Sequence, residues 1–126
     1  MKTAEIEIKK SRFIGIAIKT CDSNEVMSVL QEIKKQHKKA THVCFAYKIV
    51  NNGVEQVKYN DDGEPTGTAG RPMLSVIEKK NLLNVAVFVV RYFGGVKLGG
   101  GGLVRAYSKA ASQVLEDDNN SNETSW

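Results

Sequence analysis

The order of apolar and polar positions along the chain predicts five strands and three helices. Apolar and acidic residues alternate over Ala4–Ile8, and isoleucines recur at every second position over Ile14–Ile18. A period of two is typical of half-buried strands. Val26, Leu30 and Ile33 then fall on one face of a helix, where a period near 3.6 residues is expected. The chain therefore begins with two strands and a helix.

The rest of the pattern completes one domain. Asn52-Gly53 between two alternating segments predicts a hairpin, and Pro72 fits the first turn of a short helix. Val85–Val90 is apolar on both faces, as a central strand is, and a last helix is expected to begin within Gly100–Val104. The predicted order is β-β-α-β-β-α-β-α. We expect an α+β fold in which one mixed sheet carries helices on one face.

Length and composition are those of one soluble domain without a membrane segment. We predict a domain over residues 1–116 and a disordered polar tail over residues 117–126, where apolar residues are few. The longest apolar run is far too short to cross a bilayer, and Glu5 and Glu7 interrupt any signal-peptide core. Two cysteines without a CxxC pair indicate a reducing compartment. A cytoplasmic protein is expected.

Positive charge is concentrated around the last strand and helix. The formal net charge is +4, but residues 117–126 hold three acids and no base, so the body of the chain is more basic. Residues 79–112 contain no acid at all. Their bases are Lys79, Lys80, Arg91, Lys97, Arg105 and Lys109. A stretch that carries only positive charge favours an anionic partner, of which nucleic acid is the commonest. The alternative is a solvated basic surface that aids solubility.

A glycine cluster follows the predicted central strand. The segment Arg91–Tyr107, RYFGGVKLGGGGLVRAY, holds six of the eleven glycines just before a helix, and a helix N-terminus favours an anion. Arg105 near that helix start opposes the helix dipole unless an anion docks there. The segment is not a P-loop, because Lys97 is followed by Leu98 instead of Ser or Thr. A tight strand-to-helix connection is the structural alternative. Its aromatic residues suit base stacking, with core packing as the default.

Two further segments carry candidate chemistry. Asn60–Leu74 is a long polar loop whose acids lack the EF-hand pattern, so no metal site is predicted, and its Arg71 is a candidate anion contact. His42 and Cys44 point to the same face of a strand. A Cys-His nucleophile pair would need an orienting acid, and none is evident. His42 is expected to be a polar contact or a residue at the edge of the core.

Together these segments resemble the IMPACT/YigZ family, in its bacterial form. The resemblance is carried in the family's order by Lys9–Gly15, Thr41–Ile49, Asp61–Pro72 and Arg91–Tyr107. It implies a fold similar to a domain of elongation factor G and of a small-subunit ribosomal protein. Members of the family are regarded as translation or stress regulators, or as nucleic-acid binders, without an established reaction. Eukaryotic members compete for the activator protein of an amino-acid-starvation kinase.

The sequence departs from the family pattern at both ends. Bacterial members usually add a ferredoxin-like second domain, whereas Glu116 leads into the polar tail, and the extra N-terminal module of eukaryotic members is not seen. A function that needs either module is in question for this chain.

The function predicted from the sequence is a translation-associated regulatory domain that binds RNA or the ribosome through a basic, glycine-rich face. The alternative is a protein-interaction regulator of a starvation-response kinase pathway, which would dock an acidic translation-regulatory protein, and a hydrolase is the third. No catalytic residue, cofactor or metal is predicted. The predicted anion-binding residues are Arg12, His42, Arg71, Arg91, Gly94, Gly95, Lys97, Gly99, Gly100 and Arg105.

Overall fold

Eight elements follow one another in the predicted order in the computed structural model, which describes residues 1–116. The predicted tail, 117–126, lies outside the described residues. The strands are β1 (Lys2–Ile8), β2 (Ser11–Lys19), β3 (His42–Asn51), β4 (Val54–Asn60) and β5 (Val85–Tyr92). The helices are α1 (Ser23–Gln36), α2 (Gly70–Lys79) and α3 (Gly99–Val114). The α+β fold class is confirmed.

The five strands form one sheet in the order β1-β2-β5-β3-β4. Every adjacent pair is antiparallel, so the expectation of a mixed sheet is wrong. The reason is that β5 lies between β2 and β3, which run in the same direction, and so prevents them from pairing in parallel. Val85–Val90 is buried throughout and occupies the centre of the sheet, as its apolar pattern predicts.

The helices cover both faces of the sheet, so the expectation that they share one face is also wrong. Helix α1 packs its apolar side against the face that includes Phe88 of β5. Helices α2 and α3 pack against the opposite face, which includes Val87. Alternate residues of a strand point to opposite faces, and because β5 is apolar on both sides, each side needs its own cover.

Helices α1 and α3 begin differently, since α1 has a side-chain cap and α3 has none. The Asp22 carboxylate accepts from the Asn24 N–H at 2.9 Å and caps α1. Helix α3 begins at Gly99, one residue before the predicted range, and follows Leu98, which provides no side-chain cap.

Within residues 1–116, no helix has the length and apolar character needed to cross a membrane.

Candidate anion-binding cleft

A cleft of about 450 Å³ opens at the N-terminus of α3. Its walls come from the start of β3, the loop 61–69, the end of β5 and the glycine-rich connection to α3. The lining residues are Thr41, His42, Glu64, Pro65, Arg91, Phe93, Lys97, Leu98, Gly99, Gly100 and Leu103. We call it the α3 cleft. It brings together five of the ten residues predicted from the sequence.

The α3 N-terminus is the feature of the cleft that would favour an anion. No side chain caps the helix, and its first turn holds no acid, so its free N–H groups and the positive end of the dipole are available. Gly99 begins the helix with φ of +75°, a left-handed conformation that glycine adopts without strain. Lys97 adds a positive charge to the same cleft.

One wall of the α3 cleft is a buried ion pair. Arg91 Nη1 donates to both carboxylate oxygens of Glu64, at 3.1 and 2.8 Å, and Nη2 donates to Ser11 Oγ at 3.3 Å. The guanidinium lies over the rings of Phe13 and Phe93, 5.5 and 5.4 Å from their centroids. Arg91 is only 5% exposed. Its charge is therefore matched by Glu64 and contributes little to a basic surface.

The sequence did not reveal this pairing. Residues 79–112 contain no acid, which made Arg91 look unopposed, but Glu64 reaches it from a loop 27 positions earlier. A second buried neighbour of Glu64 is Tyr107, whose hydroxyl donates to Oε2 at 2.5 Å.

His42 lies beside the ion pair with its proton position set by the backbone. Its Nδ1 lies 2.7 Å from the carbonyl oxygen of Asp62, which can only accept, so Nδ1 carries a hydrogen. Nε2 lies 3.4 Å from Glu64 Oε1. The side chain of His42 is one-fifth exposed. It therefore borders the cleft as a polar contact, next to a carboxylate that Arg91 already holds.

Cys44 does not have the properties of a nucleophile. Its side chain is fully buried, and Sγ donates to the carbonyl oxygen of Asp61 at 3.1 Å. Burial is the main reason that the pKa of the thiol rises from 9.0 to about 12. The reactive species is the thiolate, and burial disfavours that form of Cys44. The hydrolase interpretation through His42 and Cys44 receives no support.

The other loop acids hold the fold together. Asp61 accepts from the N–H groups of Gly67 and Gly70, at 2.9 and 2.8 Å, and Asp62 accepts from the Val43 N–H at 2.7 Å. Within residues 1–116, no cluster of three or more His, Cys, Asp or Glu side chains is arranged to hold a metal ion.

A smaller groove of about 210 Å³ lies on the other side of Leu98. Its basic residues are Lys9, Arg105 and Lys109. The Arg105 guanidinium folds back along α3, since a Cβ built at Gly101 would lie 3.4 Å from its Nη1. We call this second cavity the basic groove. It places Arg105 near the α3 N-terminus, as the sequence predicts, although outside the α3 cleft.

Gly94 and Gly95 shape the connection instead of lining either site. A Cβ at Gly94 would lie 1.9 Å from the carbonyl oxygen of Lys10, so the β1–β2 turn packs directly on this glycine. Gly95 has φ of +92°. Both glycines are needed for the chain to reach α3.

Arg12 and Arg71 lie elsewhere. Arg12 Nε donates to Glu5 Oε2 at 2.7 Å, and this hydrogen bond raises the pKa of Arg12. Its guanidinium lies over the Tyr92 ring, which packs on the α1 side of the sheet. Arg71 is exposed at the start of α2, 6.0 Å above the ring of Tyr59. The ten predicted residues therefore do not form one continuous face.

Comparison with known proteins identifies relatives in bacteria and eukaryotes. The model of the Impact N-terminal domain family matches residues 9–115. The chain is 53% identical over 111 residues to the IMPACT family member YvyE of Bacillus subtilis, covering 88% of this chain and 51% of the relative. It is 39% identical over 110 residues to YigZ of Escherichia coli, covering 86% and 54%. The chain spans about half the length of these curated relatives.

Solved structures agree in fold. A crystal structure of a hypothetical protein matches with a TM-score of 0.85 and 38% identity, covering 92% of this chain and 57% of that one. The structure of the two-domain translational regulator Yih1 matches with a TM-score of 0.57 and 24% identity, covering 89% and 45%, which shows a shared fold alone. The family match over residues 9–115 and the bacterial relatives show that the chain belongs to the IMPACT family.

Proposed function

We propose that this domain is a translation-associated regulatory domain that binds RNA, free or within the ribosome, through phosphate contacts at the α3 cleft and the basic groove. Membership of the IMPACT family supports a role in translation, since Yih1 of the same fold is a translational regulator. The binding mode rests on the site itself.

The observation that carries the proposal is the uncapped N-terminus of α3. Its free N–H groups open into a cleft that also holds Lys97. Glu64 is the acid that lines this cleft within the described residues, and it is buried against Arg91. An anion at the helix terminus therefore meets N–H donors and a lysine without facing an unmatched carboxylate.

The basic groove extends the positive surface on the far side of Leu98. Lys9, Arg105 and Lys109 line it, and no acid does so within the described residues. Arg105 lies in the second turn of α3, and its guanidinium folds back beside Gly101 in the first turn, where a positive charge is unfavourable against the helix dipole. A phosphate bound between the α3 cleft and the basic groove would offset both the Arg105 charge and the positive end of the helix dipole. Two neighbouring anion sites suit a polyanion such as RNA better than a single small anion.

The test is RNA binding by the wild type and by a Lys97→Ala/Arg105→Ala variant across a salt series. Each phosphate that a base neutralises releases counterions, so the variant should bind more weakly, and its log–log salt slope should be shallower by about one for each base removed. Fluorescence anisotropy with a labelled RNA measures both quantities. The matched control is Lys34→Ala/Lys35→Ala, which removes the same charge from exposed positions on α1, across the sheet.

Equal affinity and slope in the wild type and the Lys97→Ala/Arg105→Ala variant would contradict the proposal, as would an equal reduction of affinity in the α1 control. Binding of an acidic protein by the wild type, with no binding of RNA, would favour the protein-interaction regulator instead. Circular dichroism of each variant checks that it folds.

A further inference from the structure

Phe93 exposes a large aromatic surface in the wall of the α3 cleft. It follows the last residue of β5 and is 47% exposed. Its backbone N–H donates to Thr41 Oγ1 at 2.9 Å, and the Arg91 guanidinium lies 5.4 Å from its ring centroid. Core packing does not account for this residue, because nearly half of it remains in contact with solvent. The ring is supported on one side and available on the other.

Arg91 is a second residue in the cleft wall whose contacts are incomplete. It lines the α3 cleft while being more than nine-tenths buried, and its Nε has no hydrogen-bond partner among the described residues. Buried donors in proteins are nearly always satisfied. The guanidinium beneath Phe93 thus retains donor capacity after its hydrogen bonds to Glu64 and Ser11.

The shape of the cleft restricts what enters it. Its volume of about 450 Å³ falls within the range of sites for small ligands, roughly 300–1,000 Å³. The bases of an RNA duplex stay stacked inside the helix, where a concave pocket cannot reach them, whereas bases of single strands can be splayed out. A site of this size and concavity suits one nucleotide better than the side of a duplex.

Building on the proposed function, we infer that the α3 cleft takes one unstacked nucleotide of single-stranded RNA. Its base stacks on Phe93, and its phosphate lies at the α3 N-terminus beside Lys97. The basic groove holds a neighbouring phosphate of the same strand. Stacking on an aromatic side chain is tolerant of sequence, because every base has a flat face. The domain should therefore prefer single strands without a strong preference for sequence.

The test compares a labelled single-stranded RNA of ten nucleotides with the same strand in a duplex. The single strand should bind about tenfold more tightly or better. Phe93→Ala should weaken single-strand binding by about 5- to 100-fold while leaving the salt slope unchanged, because stacking releases no counterions. Leu83→Ala is the matched control, since Leu83 is a similarly exposed apolar residue outside the cleft, 48% exposed.

A second variant keeps the test decisive if Phe93→Ala unfolds. Phe93→Trp retains the stacking surface and, combined with replacement of the chain's single native Trp by Phe (Trp126→Phe), makes the cleft tryptophan the only one. Addition of the single-stranded RNA should quench its fluorescence, and addition of inorganic phosphate alone should not.

The outcomes separate this inference from the proposed function. Equal binding of single strand and duplex, with unchanged affinity in Phe93→Ala and no quenching in Phe93→Trp, overturns the single-nucleotide site but leaves phosphate binding in place. Absence of RNA binding by the wild type overturns both. Quenching by a glutamate-rich peptide and not by RNA also overturns the inference, since such a peptide supplies anions without a base.

Discussion

The ion pair between Arg91 and Glu64 decides the chemistry of the α3 cleft at the scale of single residues. Both side chains are almost fully buried, and Nη1 lies 2.8 Å from Oε2. The pair leaves Lys97 and the helix terminus as the sources of positive potential in the cleft. Removing one member of a buried pair leaves the other charge without a partner, which is far more costly than the pair is worth.

Glu64→Gln should therefore destabilise the domain by about 3–5 kcal/mol, because it leaves the Arg91 charge buried without its counter-charge. Urea unfolding followed by circular dichroism measures the change. Glu78→Gln makes the same substitution at an exposed position of α2 and should change stability by less than about 0.5 kcal/mol. Equal midpoints for the two variants would show that the pair is not needed for folding.

The sequence predicted the cleft residues that belong to the glycine-rich segment, but not how charges are matched. Lys97, Gly99 and Gly100 were predicted to bind an anion, and all three line the cleft, because they are close together in the chain and adjoin a helix start. Arg91 was expected to face a phosphate, and its partner Glu64 lies in a separate loop. Pairing across such a separation depends on tertiary packing, which local patterns do not report.

At the scale of elements, the connection from β5 to α3 uses its glycines in two different ways. Gly94 is packed against the backbone of the β1–β2 turn, with no room for a side chain. Gly100, in the first turn of α3, has nothing within 4 Å of the position that a Cβ would take, and it lines the α3 cleft. The first glycine serves the fold, and the second leaves the helix terminus open.

Alanine at these two positions should have opposite effects on stability. Gly94→Ala should cost about 3 kcal/mol or more, because its methyl group meets the Lys10 carbonyl. Gly100→Ala should stabilise by about 0.4–1 kcal/mol through a less flexible unfolded chain, and yet weaken RNA binding by crowding the helix terminus. Thermal unfolding and anisotropy test both points. A gain in affinity for Gly100→Ala would contradict the placement of the phosphate.

The boundaries of elements followed from sequence where the local signal was strong. The Asn52-Gly53 hairpin lies between β3 and β4 with both residues at positive φ, as that dipeptide predicts. The start of α3 was placed one residue late, because four consecutive glycines, 99–102, have no side chains to mark it.

At the scale of the whole molecule, β5 is the strand on which both layers depend. It pairs with β2 and β3 and is covered by α1 on one face and by α2 and α3 on the other. The apolar run of Val85–Val90 correctly predicted a central position. The same run already implied cover on both faces, but the order of elements does not say which face each helix takes. The order of elements also does not say that β5 lies between β2 and β3, and it is this position that makes every adjacent pair of strands antiparallel.

Amide hydrogen exchange should show this dependence. The amides of β5 should exchange only through global unfolding, because both neighbours and both faces protect them. Those of β4 should exchange sooner, since it is an edge strand whose seven residues are all exposed. Exchange followed by NMR or mass spectrometry measures both. Protection of β4 equal to that of β5 would contradict the expected hierarchy.

The anchoring of the loop 61–69 has a consequence for how fast a ligand comes and goes. Asp61 ties the loop to the start of α2, and Glu64 ties it to β5, so moving it would break a buried ion pair. The loop therefore acts as a fixed wall and not as a lid. Association should be a single step with a rate set by encounter, typically about 10⁵–10⁷ M⁻¹s⁻¹ before electrostatic steering. Added salt should then slow the association of RNA, and no slow phase from closure of the loop should appear.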